Sequence, residues 1–248
     1  MALLYGKIKN GVLEYAPENY ISSVITIQNF NQDESLMQEF GYKKVIEDGY
    51  IGGEYVTYQE IEESDNCIII HNVLDNSEEV LKEIKTNLIY KTKTNLERYL
   101  EENPLLSSIK CSNIGETKEY TVTIDKQNQL TATVSNFITN ALPYILDYMV
   151  KGGSNEGLLQ FIDSLPIDIY WNSKGETCEK WKYSEIFQLK NEMMEYIRPI
   201  VEYQRILEVN ILKSNDQAEL YDMDLEFTKE KIEAFIRSLQ QENNQENN

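Results

Sequence analysis

Apolar and polar positions alternate from the start of the chain. Leu4 to Lys9 and Val12 to Tyr15 flank Asn10-Gly11, a dipeptide that tolerates the positive φ angles of a type I′ turn, so the opening predicts a β-hairpin. Ala16-Pro17 ends the second strand, and the β-branched run Val24-Ile25-Thr26-Ile27 predicts another. Asp33 to Phe40 reads as a short helix closed by Gly41, after which Tyr42 to Ile46, Tyr55 to Ile61 and Cys67 to Leu74 resume strand character. Gly49, Gly52 and Gly53 mark a turn; a phosphate-cradling loop would add the Gly-Lys-Ser/Thr that is missing here.

From Ser77 the period lengthens. Leu81, Ile84, Leu88, Leu96 and Tyr99 share one flank of a long helix that Asp75 or Asn76 can cap and that Asn103-Pro104 ends, because the residue before proline is pushed out of the α region. Lys118 to Ile124 alternates as a half-buried strand. Asp125 can cap a helix carrying Leu130, Val134, Phe137, Ala141 and Ile145, which Pro143 is expected to break and Gly152-Gly153 to stop. Glu156 to Leu165 reads as a short helix, and Ile167 to Trp171 leads into a polar hairpin through Asn172 to Cys178. Beyond Trp181 and Tyr183, the positions Ile186, Leu189, Met193, Ile197, Ile200, Leu207 and Ile211 recur at three- and four-residue steps, which makes one side of a helix. Ser184 is the expected N-cap, Glu185 suits the first turn, and Pro199 predicts a kink or break near Tyr196. Glu195, Arg198, Glu202 and Arg205 read as its solvated face. Ala218 to Phe227 shows no clear period, and Thr228 to Gln240 is a capped helix with Ile232, Phe235, Ile236 and Leu239.

These elements predict an α+β protein with a small β-rich N-terminal domain over residues 1–75 and a connecting helix over 76–104. A mostly helical C-terminal domain with a small hairpin follows over 105–240. The closing Gln-Glu-Asn-Asn repeat, residues 241–248, has nothing to bury and is expected to be disordered.

Charge narrows the classes of partner. A net charge of −19 gives a field that repels phosphate backbones and anionic lipid, so neither nucleic acid nor a membrane surface is an expected partner. No apolar run approaches the roughly 20 residues of a spanning helix, and Met1 to Lys7 lacks the shape of a secretory signal, so the expected location is the cytoplasm.

Candidate chemistry is sparse. Cys67, Cys111 and Cys178 are widely spaced and odd in number, which predicts buried free thiols and neither a disulfide framework nor a zinc site. His71, the only histidine, lies in an apparent strand as a surface residue, and no Gly-x-Ser-x-Gly elbow accompanies it. Adjacent acids such as Glu62-Glu63 and Glu101-Glu102 are the only grouping for acid–base hydrolysis, and at this charge they read as solvated. No catalytic, cofactor-binding or metal residue is assigned.

Three segments together resemble a known group. Tyr5-Gly6-Lys7-Ile8-Lys9-Asn10-Gly11-Val12-Leu13-Glu14-Tyr15-Ala16-Pro17, followed by Gly41-Tyr42-Lys43-Lys44-Val45, resembles the small N-terminal domain of bacteriophage tail-fibre-associated proteins from Firmicutes-type hosts. Tyr120-Thr121-Val122-Thr123, Trp171-Asn172 through Cys178, and Trp181 are similar to a domain family of unknown function in phage tail-fibre and fibre-assembly proteins. Its pattern continues through Tyr196-Ile197-Arg198-Pro199-Ile200-Val201 and Tyr203-Gln204 to Glu208-Val209, and this sequence departs from it between Asn140 and Asp163, where residues are inserted.

The resemblance implies a non-enzymatic tail protein that docks to the tail fibre or baseplate, as a fibre-assembly factor or a virion adaptor. It would act in the host cytoplasm during assembly or remain in the virion tail, and homo-oligomerisation is compatible with either role. The seventeen tyrosines suit protein contacts, and Trp171, Trp181, Tyr183 and Tyr203 are the candidate partner-contact residues. The alternative is a receptor-contacting module that binds a host cell-surface glycan through exposed aromatic faces.

Overall fold

Asn10 and Gly11 both adopt left-handed backbone, at φ 54° and 80°, and close the first hairpin as expected. Strands β1 (Tyr5–Lys9) and β2 (Val12–Tyr15) pair antiparallel, from Lys9 opposite Val12 to Gly6 opposite Tyr15. The computed structural model describes residues 4–50 and 54–246, with side chains through residue 241. Gly52 and Gly53 of the expected turn, and residues 1–3 of the opening, lie outside the described residues.

The run Val24 to Ile27 forms less strand than expected. Only β3 (Tyr20–Ile21) and β4 (Thr26–Ile27) pair, because Ser22 Oγ accepts from the amides of Val24 and Ile25 at 3.3 and 3.1 Å and turns the chain there. A 3-10 turn at Phe30–Gln32 then leads into α1 (Glu34–Glu39), which is capped by Asp33 Oδ1 accepting from Leu36 N at 3.0 Å. Phe30 is fully buried, with the rings of Tyr20, Phe40 and Tyr42 at 5.2, 5.5 and 5.4 Å around it. These aromatics build the small core that fixes α1 against the strands.

Strands β5 (Lys43–Gly49), β6 (Thr57–Glu63) and β7 (Cys67–Leu74) complete a sheet of order β2-β1-β5-β7-β6. β5 and β7 are parallel and the other pairs antiparallel. Val45, Ile68 and Ile70 pack with Ile8 and Leu13 on one face. The edge strand β6 carries Glu60, Glu62 and Glu63, charges that discourage a further strand from pairing there. At the end of β5, Gly49 has φ 83°, and a Cβ would lie 2.5 Å from the Asn72 carbonyl oxygen, so only glycine fits.

Helix α2 (Glu78–Glu102) ends before Pro104 as expected, and β8 (Leu105–Ser107) pairs with β9 (Lys118–Tyr120). Then follow α3 (Ile124–Val150), α4 (Asn155–Asp163), the hairpin of β10 (Ile169–Trp171) and β11 (Glu179–Trp181), α5 (Tyr183–Lys213), α6 (Gln217–Asp222) and α7 (Lys229–Glu246). The architecture is α+β.

Four local expectations need correction. Thr123 occupies the N-cap position of α3, and Asp125 sits inside its first turn. Pro143 does not break α3, and Pro199 does not break α5. Each helix buries an apolar row on its other side, and Pro143 lies on exposed surface where water can meet the carbonyl it leaves without an amide partner. Helix α7 continues to Glu246, into the segment expected to be disordered.

The chain divides into two units, Met1–Lys85 with Ser214–Asp222, and Thr86–Lys213 with Met223–Asn248. The short return to the first unit has a physical cause in Gln217, which is fully buried. Its Oε1 accepts from Val56 N at 3.0 Å, and its Nε2 donates to the carbonyls of Val56 and Asp75 at 2.9 and 2.5 Å. The side-chain amide thereby adds to the bond from Asp75 N to the Val56 carbonyl, 2.8 Å, that joins the same two backbone segments.

In the second unit α3 buries Leu130, Val134, Phe137 and Ala141, and α5 buries Ile186, Leu189, Met193, Ile197 and Ile200. Together with Leu96, Tyr99 and Leu100 of α2 they form one core. The two hairpins β8–β9 and β10–β11 adjoin each other, Lys174 N donating to Glu119 O at 2.7 Å.

Candidate interaction cleft

The β10–β11 hairpin places Trp171 and Trp181 on its inner face, in register Ile169 opposite Trp181 and Trp171 opposite Glu179. Both rings are buried, at 7% and 3% exposure. Trp181 Nε1 donates to the Trp171 carbonyl at 3.2 Å, and Tyr120 meets the Trp181 ring edge-on at 5.9 Å. Lys126 Nζ lies 5.4 Å from the Trp171 ring centroid. The expectation that these tryptophans offer a contact surface is therefore corrected: they are core, and core Trp→Ala changes cost about 3–5 kcal/mol.

Tyr183 and Tyr203 are half-buried. Tyr183 is stacked against Phe137 at 4.9 Å and against Phe187 at 5.7 Å. Tyr203 lies twenty positions further along α5, about 30 Å at 1.5 Å per residue, where its ring meets Phe227 at 5.3 Å and Phe235 at 5.5 Å. The four candidates thus do not form one surface. Trp181 and Tyr183 do share a cleft.

That cleft, of about 510 Å³, opens between the Leu165-Pro166-Ile167 segment, the end of β11 and the first turn of α5. Its floor is Phe137, Trp181 and Tyr183, and Lys110, Lys180 and Lys182 stand around it. Lys110, held in left-handed backbone at φ 64°, donates to the Lys180 carbonyl at 2.9 Å. It also lies 3.2 Å from Glu185 and 5.5 Å from the Trp181 ring centroid. Lys180 pairs with Asp168, whose carboxyl it holds below the usual range. The exposed ammonium of Lys182 makes no ion pair among the described residues. An apolar floor with a small number of cations at its rim, in a chain of charge −19, is suited to an apolar side chain with a carboxylate beside it.

The start of α5 forms one wall, and its capping differs from the expectation. Ser184 is within the helix and acts as donor: its amide and hydroxyl both reach Asp163, the last residue of α4. Glu185 turns back to accept from Lys182 N at 2.8 Å, the acidic half of a capping box. Ser184 therefore leaves the N-cap role to a carboxylate distant in sequence.

A second, smaller groove of about 370 Å³ in the first unit is lined in part by Asp48, His71, Asn72, Asn76 and Asp216. His71 Nδ1 is 2.8 Å from Asp48 and Nε2 is 3.2 Å from Glu62. The hydrogen bond to Glu62 and then that to Asp48 raise the imidazole pKa, against a smaller opposing effect of desolvation. With both nitrogens directed at carboxylates, the protonated ring has no lone pair left to act as a base. Glu63 pairs with Lys43 at 2.8 Å, and Glu101 and Glu102 are exposed. Cys67 and Cys111 are half-buried free thiols, and Cys178 is exposed rather than buried. Among the described residues no group of three His, Cys, Asp or Glu side chains is placed to hold a metal ion.

Periodicity alone missed two members of the buried row of α5. Gln204 and Glu208 occupy inward positions, at 6% and 5% exposure, while Leu207 is only partly buried. Glu208 accepts from Gln204 at 2.7 Å and from Arg205 at 2.5 Å, so Arg205 does more than solvate the outer face. Desolvation pushes the Glu208 pKa up, but these hydrogen bonds outweigh it and the net direction is down. The only sequence signal was that residue 208 continues the three- and four-residue step from Ile200 and Gln204.

No protein-family model matches the chain, no curated protein matches it, and no solved structure matches it.

Proposed function

We propose that the protein acts by docking to another polypeptide of a bacteriophage tail, at the tail fibre or the baseplate, as a non-enzymatic fibre-assembly factor or a virion adaptor. Assignment to a phage tail rests on the sequence resemblance carried by residues 5–17, 41–45, 120–123, 171–178, 181, 196–201, 203–204 and 208–209. The observation that carries docking is the cleft beside Trp181 and Tyr183. It accepts a partner segment presenting an apolar side chain over the aromatic floor and a carboxylate toward Lys182. The protein would do this in the host cytoplasm during assembly, and an adaptor would then stay in the tail. The glycan alternative is weaker on the same residues, because Trp181 is buried and Tyr183 already stacks against two other rings, so neither presents an open aromatic face to a sugar ring as an unstacked surface aromatic would.

Co-expression with tail-fibre and baseplate subunits from neighbouring tail genes tests the reading. A fibre subunit that becomes soluble and co-purifies only with this chain supports it, and Lys182→Glu or Pro166→Glu at the exposed cleft rim is expected to abolish co-purification. Stoichiometric presence in purified particles identifies an adaptor, and absence from them a transient assembly factor. Failure to associate with any of these subunits overturns the proposal.

A further inference from the structure

Strand β6 is the last in the sheet order, and Tyr58 to Glu63 are exposed. Two bonds just beyond its ends set the phase of its ladder with β7: Asp75 N donates to the Val56 carbonyl at 2.8 Å, and Ser64 N to the Cys67 carbonyl at 2.9 Å. Hydrogen-bonded pairs alternate along an antiparallel ladder. In the observed register Tyr58, Glu60 and Glu62 therefore turn their backbone groups to β7, while Thr57, Gln59, Ile61 and Glu63 turn theirs outward. Among the described residues no strand or loop backbone bonds to that outer row.

We propose that β6 is a docking edge for a basic strand of a partner polypeptide, which extends the sheet by pairing with Thr57, Gln59, Ile61 and Glu63. The open backbone selects a strand, because a row of donors and acceptors at strand spacing is matched by another extended backbone. Charge selects the sequence of that strand. From Val45 to Leu81 the chain holds ten Asp and Glu and no Lys or Arg. Glu60 and Glu62 lie on the sheet face that carries His71 and Asp48, since Glu60 and Asp48 both stand opposite His71. Glu63, on the other face, is held by Lys43 at 2.8 Å. A strand alongside β6 sets alternate side chains beside Glu60 and Glu62, about 5 Å away between Cβ atoms. The residue between those two meets Ile61, which is 42% exposed. The sequence that fits is Lys or Arg at positions i and i+2 with an apolar residue at i+1. The carboxylates that turn other strands away are what recognises this one. The edge lies in the first unit and takes a partner of opposite charge to the one the cleft takes, so the proposal goes beyond cleft docking and does not depend on it.

Fluorescence anisotropy of labelled peptides mixed with the full chain tests the inference. The probes are a short peptide alternating Lys and Val, its Glu and Val counterpart, and a peptide of the first composition with its lysines and valines in separate blocks. The alternating basic peptide is expected to bind, the block peptide to bind about tenfold or more weakly, and the acidic peptide not to bind. With the basic peptide bound, hydrogen exchange is expected to slow at the amides of Gln59, Ile61 and Glu63, whereas those of Tyr58, Glu60 and Glu62 are already paired with β7. Ile61→Pro removes an outward amide and leaves the ladder to β7 in place, as proline on an edge strand does. It is expected to weaken binding by about tenfold or more, with an unchanged circular dichroism spectrum. Glu60→Lys together with Glu62→Lys is expected to reverse the preference toward the acidic peptide. Equal binding of the alternating and block peptides, slowed exchange confined to other segments, or undiminished binding to Ile61→Pro overturns the proposal. So does a preference that the double charge reversal leaves unchanged, or no binding of the alternating basic peptide at millimolar concentration.

Discussion

Asp163, at the end of α4, accepts from both the backbone amide and the hydroxyl of Ser184, at 2.9 and 2.6 Å. One carboxylate thereby caps the first turn of α5 and ties it to the segment that forms the opposite wall of the cleft. The negative charge also lies where the helix dipole favours it.

Asp163→Ala is expected to destabilise the protein by about 1–2 kcal/mol, the range for losing an N-cap partner together with a charge-assisted hydrogen bond. Ser184→Ala, which keeps the amide bond to Asp163, is expected to cost less. Urea unfolding of both variants checks the order, and an Asp163→Ala protein as stable as the parent would contradict the capping role.

His71 supplies a pH dependence of known sign. Its folded pKa is raised above the ordinary 6.5 by Glu62 first and Asp48 second. Below 6.5 the ring is protonated both folded and unfolded, so the stabilisation is fully present. It is lost as pH rises through the higher folded value. With one histidine in the chain, imidazole proton shifts in an NMR titration report the midpoint directly. A midpoint above 6.5 is expected, as is a loss of thermal stability above it that His71→Gln lacks. A midpoint at or below 6.5 would contradict the two-carboxylate arrangement.

Much of the fold is legible in local chemistry. Asn10-Gly11 permits only a narrow set of turns, Asp33 directly before α1 caps the amide three residues on, and the apolar steps along α3 and α5 mark their buried faces. Three of the misreadings share one cause: packing or a partner outside the local segment overrides the local signal. Ser184 looks like a cap until Asp163 arrives from α4. Pro143 looks like a stop until packing on the opposite side of α3 outweighs one lost backbone bond. Gln217 belongs to a segment with no clear period, and its burial follows from backbone groups of Val56 and Asp75 more than a hundred positions away. The candidate site was half legible: Trp181 and Tyr183 were singled out, but the tryptophan turned out to be floor rather than rim, and Lys110, Lys182 and the Leu165-Pro166-Ile167 wall meet it only through tertiary packing.

Hydrogen exchange on the chain alone and in complex with a co-purifying tail subunit tests the docking account most directly. The account predicts new protection at residues 162–167 and 180–183, the two sides of the cleft, with little change in the strands of the first unit. Protection confined to other segments, or a complex that forms equally well with Lys182→Glu and Pro166→Glu, would contradict it.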